Sequence, residues 1–208
     1  MKIRNVLWIW AFLAGGFLTA QDKWDLDKAH SSVSFEAEHI VMLKEVQEEE
    51  GEFLLGATHG AFKDFDITFT QGRSDFSDSR VEAVIRVNSI DTGHELRDGH
   101  LKSESFFYMN KYPVIVFKSD SFEKTGENTF KISGDLTLRG VTKPIEMIAT
   151  LTGEPVERSG YQFISITATG KLNRYDYGLR WNEVMETGGF RISNYIKFSI
   201  QGNFMKKR

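Results

Sequence analysis

Residues Asp91–Phe107, DTGHELRDGHLKSESFF, gather two histidines, one arginine and four carboxylates, and then end in a pair of phenylalanines. By type, His100 and Asp98 beside Arg97 could move a proton or ligate a metal. The spacing argues against both. Asp-x-His is a short pattern with many accidental matches, and no compact set of three or four ligands surrounds it. His94 and His100 are six apart, which on a helix sets them on opposite sides, unlike the paired histidines of a zinc helix. The chain has no cysteine, no glycine-rich phosphate loop and no elbow-type serine. A hydrolase or metal-dependent enzyme using Arg97, Asp98 and His100 is therefore the lesser alternative. The expectation is a protein that is not an enzyme and carries no metal or cofactor.

The elements that must position this stretch are strands. In Ser32–His39, Val33, Phe35, Ala37 and His39 share one face and Ser32, Ser34, Glu36 and Glu38 the other, the alternation of a half-buried strand. The pattern returns in Phe65/Ile67/Phe69, Val81/Ala83/Ile85/Val87, Ile115/Phe117, Phe130/Ile132 with Leu136/Leu138, Ile145/Met147/Ala149/Leu151, Ile164/Ile166/Ala168 and Ile192/Ile196/Phe198/Ile200. That makes about eight strands. Turns such as Thr125–Asn128, Arg139-Gly140 and Ser159-Gly160 separate several of them, as in antiparallel hairpins. No long amphipathic helices alternate with these strands, so a parallel α/β sheet is disfavoured and the candidates are a barrel and a sandwich.

Two segments break the alternation. Over residues 93–109, Leu96, Leu101, Phe106 and Phe107 are spaced like a short helix or two. Residues 42–60 carry an acidic run followed by Phe53-Leu54-Leu55, compatible with a solvated loop, an edge hairpin or a short helix.

Composition limits the partners. A chain of 208 residues with 40% hydrophobic content supports one good core. The net charge is −3 and the longest basic run is the terminal Lys206–Arg208, so no nucleic-acid footprint is present. Residues 1–20 differ from all that follow: Lys2 and Arg4 precede an apolar run, Val6–Leu18, and then Thr19-Ala20. This reads as a secretory signal peptide, too short to span a bilayer, with cleavage after Ala20 and a domain over 21–208. The mature chain would hold 24 basic and 29 acidic residues, a net charge of −5. Without disulfides, its stability must come from packing.

Trp24–Phe35 (WDLDKAHSSVSF) with His39, then RDGHLKSESFF, YPVIVFKS, GDLTLRGVTKPI and LNRYDYGLRW in that order, resemble successive blocks of the YceI-like family of lipid- and polyisoprenoid-binding proteins. The resemblance covers about residues 24–204. It departs at residues 42–60, longer than the usual link. It implies an all-β, eight-stranded antiparallel lipocalin-like barrel with a short helical insertion around residues 93–109. It also implies a lumen that holds an isoprenoid or fatty-acyl lipid.

The bottom-up pattern suits this, because eight strands enclose room for one small ligand and alternate residues face inward. The 17 phenylalanines then have a destination. On this reading Phe35, His39, Phe69, Ile85, Leu101, Phe106, Phe107, Phe117 and Trp181 face the lumen, while Arg97 and His100 form a polar rim that fixes the lipid head. Each has a plainer alternative: an Arg97 ion pair with Asp98 or Glu95 that staples the insertion, and a hydrogen-bonded core role for His39. The aromatic stretch Tyr175–Trp181 with Arg174 and Arg180 is expected to line or close a barrel end.

The resulting expectation is a lipid carrier or store, periplasmic or secreted, with no nucleic-acid partner and no stable membrane insertion of the mature chain. The oligomeric state is left open, a homodimer included. The competing reading is a protein-interaction barrel whose lumen is filled by its own side chains and whose acidic 45–50 surface binds a partner.

Overall fold

The computed structural model of the protein describes residues 22–42, 52–152, 155–181 and 190–207. The expected signal segment and most of the acidic run, residues 43–51, lie outside the described residues. Among the described residues the strands are β1 (Asp22–Leu26), β2 (Ser32–Met42), β3 (Glu52–Phe62), β4 (Phe65–Gln71), β5 (Arg80–Arg86), β6 (Ile90–Asp91), β7 (Val114–Lys124), β8 (Thr129–Leu138), β9 (Val141–Leu151), β10 (Val156–Arg158), β11 (Tyr161–Asn173) and β12 (Phe190–Lys207), and one α-helix, α1 (Glu95–Lys102), follows β6.

These pieces make eight staves. β1 and β2 both pair with β12, and β3 and β4 pair in turn with β2 and β1, so each couple is one strand bent at a short break. β5 and β6 continue one another in the same way against β4 and β3. From β5 the ladder runs through β7, β8, β9 and β11 to β12, which returns to the first stave and closes the sheet. The protein is thus a closed antiparallel barrel, and among the described residues closure leaves no long unpaired edge. Every ladder of the ring lies within residues 22–207.

Chemistry places the bends. Between β1 and β2, Asp27 accepts from Ala29 N–H and ends the strand in a turn of 3₁₀ helix. Of residues 42–60, Met42 ends β2 and Glu52–Gly60 belong to β3, with Met42 paired to Glu52.

The inward residues divide into two levels. At one end Trp24, Phe69, Phe76, Phe122, Phe130 and Phe204 are almost fully buried and interlock ring on ring, with Phe69 centred 5.4 Å from Phe204 and 6.0 Å from Phe122. This end is solid core. Phe69, expected in the lumen, is instead a plug at its floor: period two fixes the face of a strand, but not the height along the barrel. The other end is hollow.

Candidate functional site

The hollow end is a cavity of about 490 Å³, within the range of small-molecule sites. Inward positions of β2 (Val33, Phe35, Ala37, His39), β5 (Ala83, Ile85), β7 (Ile115, Phe117), β8 (Leu136, Leu138), β9 (Ile145, Met147) and β12 (Ile196, Phe198, Ile200) wall it. The lumen is therefore not filled by the protein's own side chains. Glycines make room for two of its aromatic rings. Gly60 pairs with Phe35 and Gly170 with Phe198, and a Cβ at either would fall 2.3 or 2.6 Å from the opposite ring.

The mouth is built by the stretch that contains the candidate chemistry. α1 starts at His94, whose Nδ1 accepts from Arg97 N–H, and its Leu96, Arg97, His100 and Leu101 line the cavity. Those positions share one side of a helix by their spacing. Leu96 is 81% exposed, so the helix crosses the opening as a rim without sealing it. Below it Phe106 is buried and Phe107 half-buried. Phe107 meets Phe62 edge-on at 6.0 Å, and Phe62 in turn meets Phe35 at 5.7 Å.

His100 is set for packing. Its ring stands edge-on to Trp181 at 4.7 Å and to Phe106 at 5.1 Å, and those two rings lie 5.1 Å apart. Asp98 points elsewhere, its Oδ1 accepting from Thr92 N–H at 2.9 Å and Thr92 Oγ1–H at 2.6 Å. The Asp98–His100 proton relay is not assembled. Arg97 makes neither expected ion pair; its Nε and Nη2 donate to Thr92 Oγ1 and O, at 2.7 and 2.8 Å. It is a staple to the end of the preceding strand and, at the same time, a cation on the lip. Among the described residues no group of three or more His, Asp or Glu could hold a metal ion.

His39 also combines the two roles weighed for it: half-buried on the lumen wall, with its Nε2 2.8 Å from Thr58 Oγ1. Phe35, Ile85, Leu101, Phe106, Phe107, Phe117 and Trp181 all line the same cavity. Of the expected lumen residues, Phe69 alone does not.

Arg174, expected with its aromatic neighbours to line or close a barrel end, lines the cavity. Arg174 is 2% exposed and donates to four backbone carbonyls, those of Ser193, Leu179, Trp181 and Ile192. Burial pulls the guanidinium below its usual pKa, and the nearby Tyr175 ring opposes the shift. It knots the turn after β11 to β12 where that strand bulges between Ile192 and Ile196. The signal in LNRYDYGLRW was an arginine set among apolar and aromatic residues. Tyr177 beside it is buried and closes the barrel end, whereas Arg180 is exposed.

A closed eight-stranded antiparallel barrel, plugged with aromatics at one end and hollow and apolar at the other, defines a calyx for an apolar small molecule. The chain belongs to the YceI-like domain family, whose model matches residues 24–204. It is 32% identical over 181 residues to a UPF0312 protein of Staphylococcus aureus, an alignment covering 86% of this chain and 94% of that one. Among solved structures it resembles a Campylobacter jejuni YCEI protein (25% identity, TM-score 0.66, 88% of this chain and 97% of that one). BcnA of Burkholderia cenocepacia shares the fold (19%, TM-score 0.66, 86% and 99%), as does a polyisoprenoid binding domain from Saccharophagus degradans (16%, TM-score 0.57, 90% and 99%).

Proposed function

We propose that the lumen binds an isoprenoid or other long-chain amphiphilic lipid, and that the protein carries or stores it outside the cytoplasm. The observation that carries this reading is the cavity of about 490 Å³, apolar along its walls, with its cations Arg97 and Arg174 and its histidines at or near the mouth. A chain that removes several hundred Å² of apolar surface from water gains several kcal/mol at about 25 cal/mol per Å², before ordering costs. The polyisoprenoid binding of the S. degradans domain supports the same class of ligand. Binding rather than catalysis also fits the mouth, where the exposed His100 packs edge-on against Phe106 and Trp181 and Asp98 is engaged by Thr92. Location outside the cytoplasm rests on the leader-like residues 1–20.

The test is native mass spectrometry of the exported protein, followed by organic extraction. The expected result is a shortened N-terminus near Gln21 and a bound long-chain amphiphile that an Ala83→Trp variant, filling the lumen from β5, no longer retains. An empty barrel that takes up no isoprenoid, or occupancy unchanged by Ala83→Trp, overturns the reading.

A further inference from the structure

The plugged end carries a surface that the lumen does not use. On the outer face of the barrel, Val156 is 62% exposed, Tyr161 40% and Phe163 39%. Cross-strand register brings them together, with Val156 opposite Phe163 and Phe163 opposite Met205. One step nearer the tip, Arg158 faces Tyr161, which faces Lys207. Lys23 lies on β1 two residues from Asp25, the partner of Met205, and so on the same face. Lys23, Arg158 and Lys207 are all exposed, and no ion pair engages them among the described residues. A chain of net charge −3 thus presents three cations around an aromatic and aliphatic patch on this face of the tip; Asp25 shares the face, while the exposed Asp22 and Glu157 lie on the other face of the same strand ends, engaged by Lys206 and Gln162.

We propose that this tip docks on an anionic lipid bilayer. Aromatic and aliphatic side chains seated at the headgroup boundary within a ring of cations are the chemistry of interfacial membrane binding. The size of the patch favours a bilayer over a second copy, since four apolar side chains fall far short of the roughly 20–30 residues per side of a stable protein interface.

The geometry has a functional corollary. β11 runs from Tyr161 at this tip to Leu172 on the cavity wall, eleven steps or roughly 36 Å along the strand, and somewhat less along the axis because barrel strands tilt. A docked barrel holds its mouth away from the bilayer beneath it, facing a second membrane or a soluble partner.

The chain beginning at Gln21, which retains every strand of the closed barrel, is spun down with phosphatidylcholine vesicles with and without phosphatidylglycerol, and its melting temperature is followed. Pelleting with the anionic vesicles alone is expected, weakening as salt is raised. Arg158→Gln with Lys207→Gln should weaken it roughly thirtyfold, from about fivefold per cation near an anionic surface. Val156→Ser with Phe163→Ser should weaken it at least tenfold, from the exposed apolar area lost. Leu96→Ser at the mouth should leave it unchanged. Loss of pelleting in Leu96→Ser with retention in the tip variants overturns the proposal. So does self-association that Val156→Ser with Phe163→Ser abolishes in the absence of any vesicle binding. If the apolar pair unfolds the barrel, the charge pair, confined to exposed strand ends, still decides.

Discussion

Replacing Tyr177 by Phe should stabilise this protein, and should do so increasingly as pH rises. Tyr177 is 1% exposed and its hydroxyl has no hydrogen-bond partner among the described residues. An orphaned buried hydroxyl costs about 1–3 kcal/mol. Removing it while keeping the ring should therefore gain at least about 1 kcal/mol at pH 8, or roughly 2–4 °C in Tm for a chain of this size. Burial, and then the nearby Asp176 and Asp135, push the Tyr177 pKa from 10.0 up to about 12. The folded state then holds its proton more tightly than the unfolded state, so this contribution is fully present below pH 10 and drains away as pH rises from 10 through 12. By pH 11 the wild type should have lost about 1.4 kcal/mol that the Phe variant never had at stake. Urea unfolding of the pair at pH 8 and pH 11 reads the difference, expected to widen from about 1 to about 2.4 kcal/mol. A variant less stable than wild type at pH 8, or a gap that does not widen, would refute the reasoning.

Arg174→Met should lower stability by about 3–5 kcal/mol, because four carbonyls lose their buried donor; thermal melting measures it, and lipid occupancy should fall too, since the same carbonyls set Trp181 and Ile192 at the mouth. Phe106→Asp should lose both fold stability and ligand, whereas Arg97→Ala should melt within about 1 kcal/mol of wild type and lose chiefly lipids with a polar or anionic head. Extracted lipid and Tm for each variant separate these outcomes, and an Arg97→Ala protein that unfolds while the surviving fraction keeps its lipid profile would reduce that residue to a staple.

Much of this fold was legible in the sequence, because alternation such as Val81/Ala83/Ile85 marks a half-buried strand wherever it falls and every turn needs its glycine or polar pair. β1 was not legible, since Trp24 and Leu26 are its only apolar residues and its pairing with β4 and β12 is long-range. The arms of β2 and β3 beyond His39 were hidden by the acidic run between them. Within the site, the aromatic wall could be read from face and period, but Phe69 could not be given a height. Thr92 as the partner of both Arg97 and Asp98 depended on how β6 hands over to α1, which no local pattern encodes. Arg174 was expected at a barrel end but not as a buried knot, because a buried cation is defined by the carbonyls that collect around it, and a strand bulge supplies two of them.

The separation of an aromatic plug from an open calyx bears on how this barrel can change over time. Trp24, Phe69, Phe76, Phe122, Phe130 and Phe204 pack with one another below the cavity, so part of the folded state's cohesion lies in a tier that does not set selectivity. Substitutions at Ala37, Ala83 or Met147 can reshape the chamber while the floor keeps its packing. Descendants of such a barrel can exchange one cargo for another by small steps at the upper tier, each of them folded, and a lineage can thereby diversify its ligands without first becoming unstable.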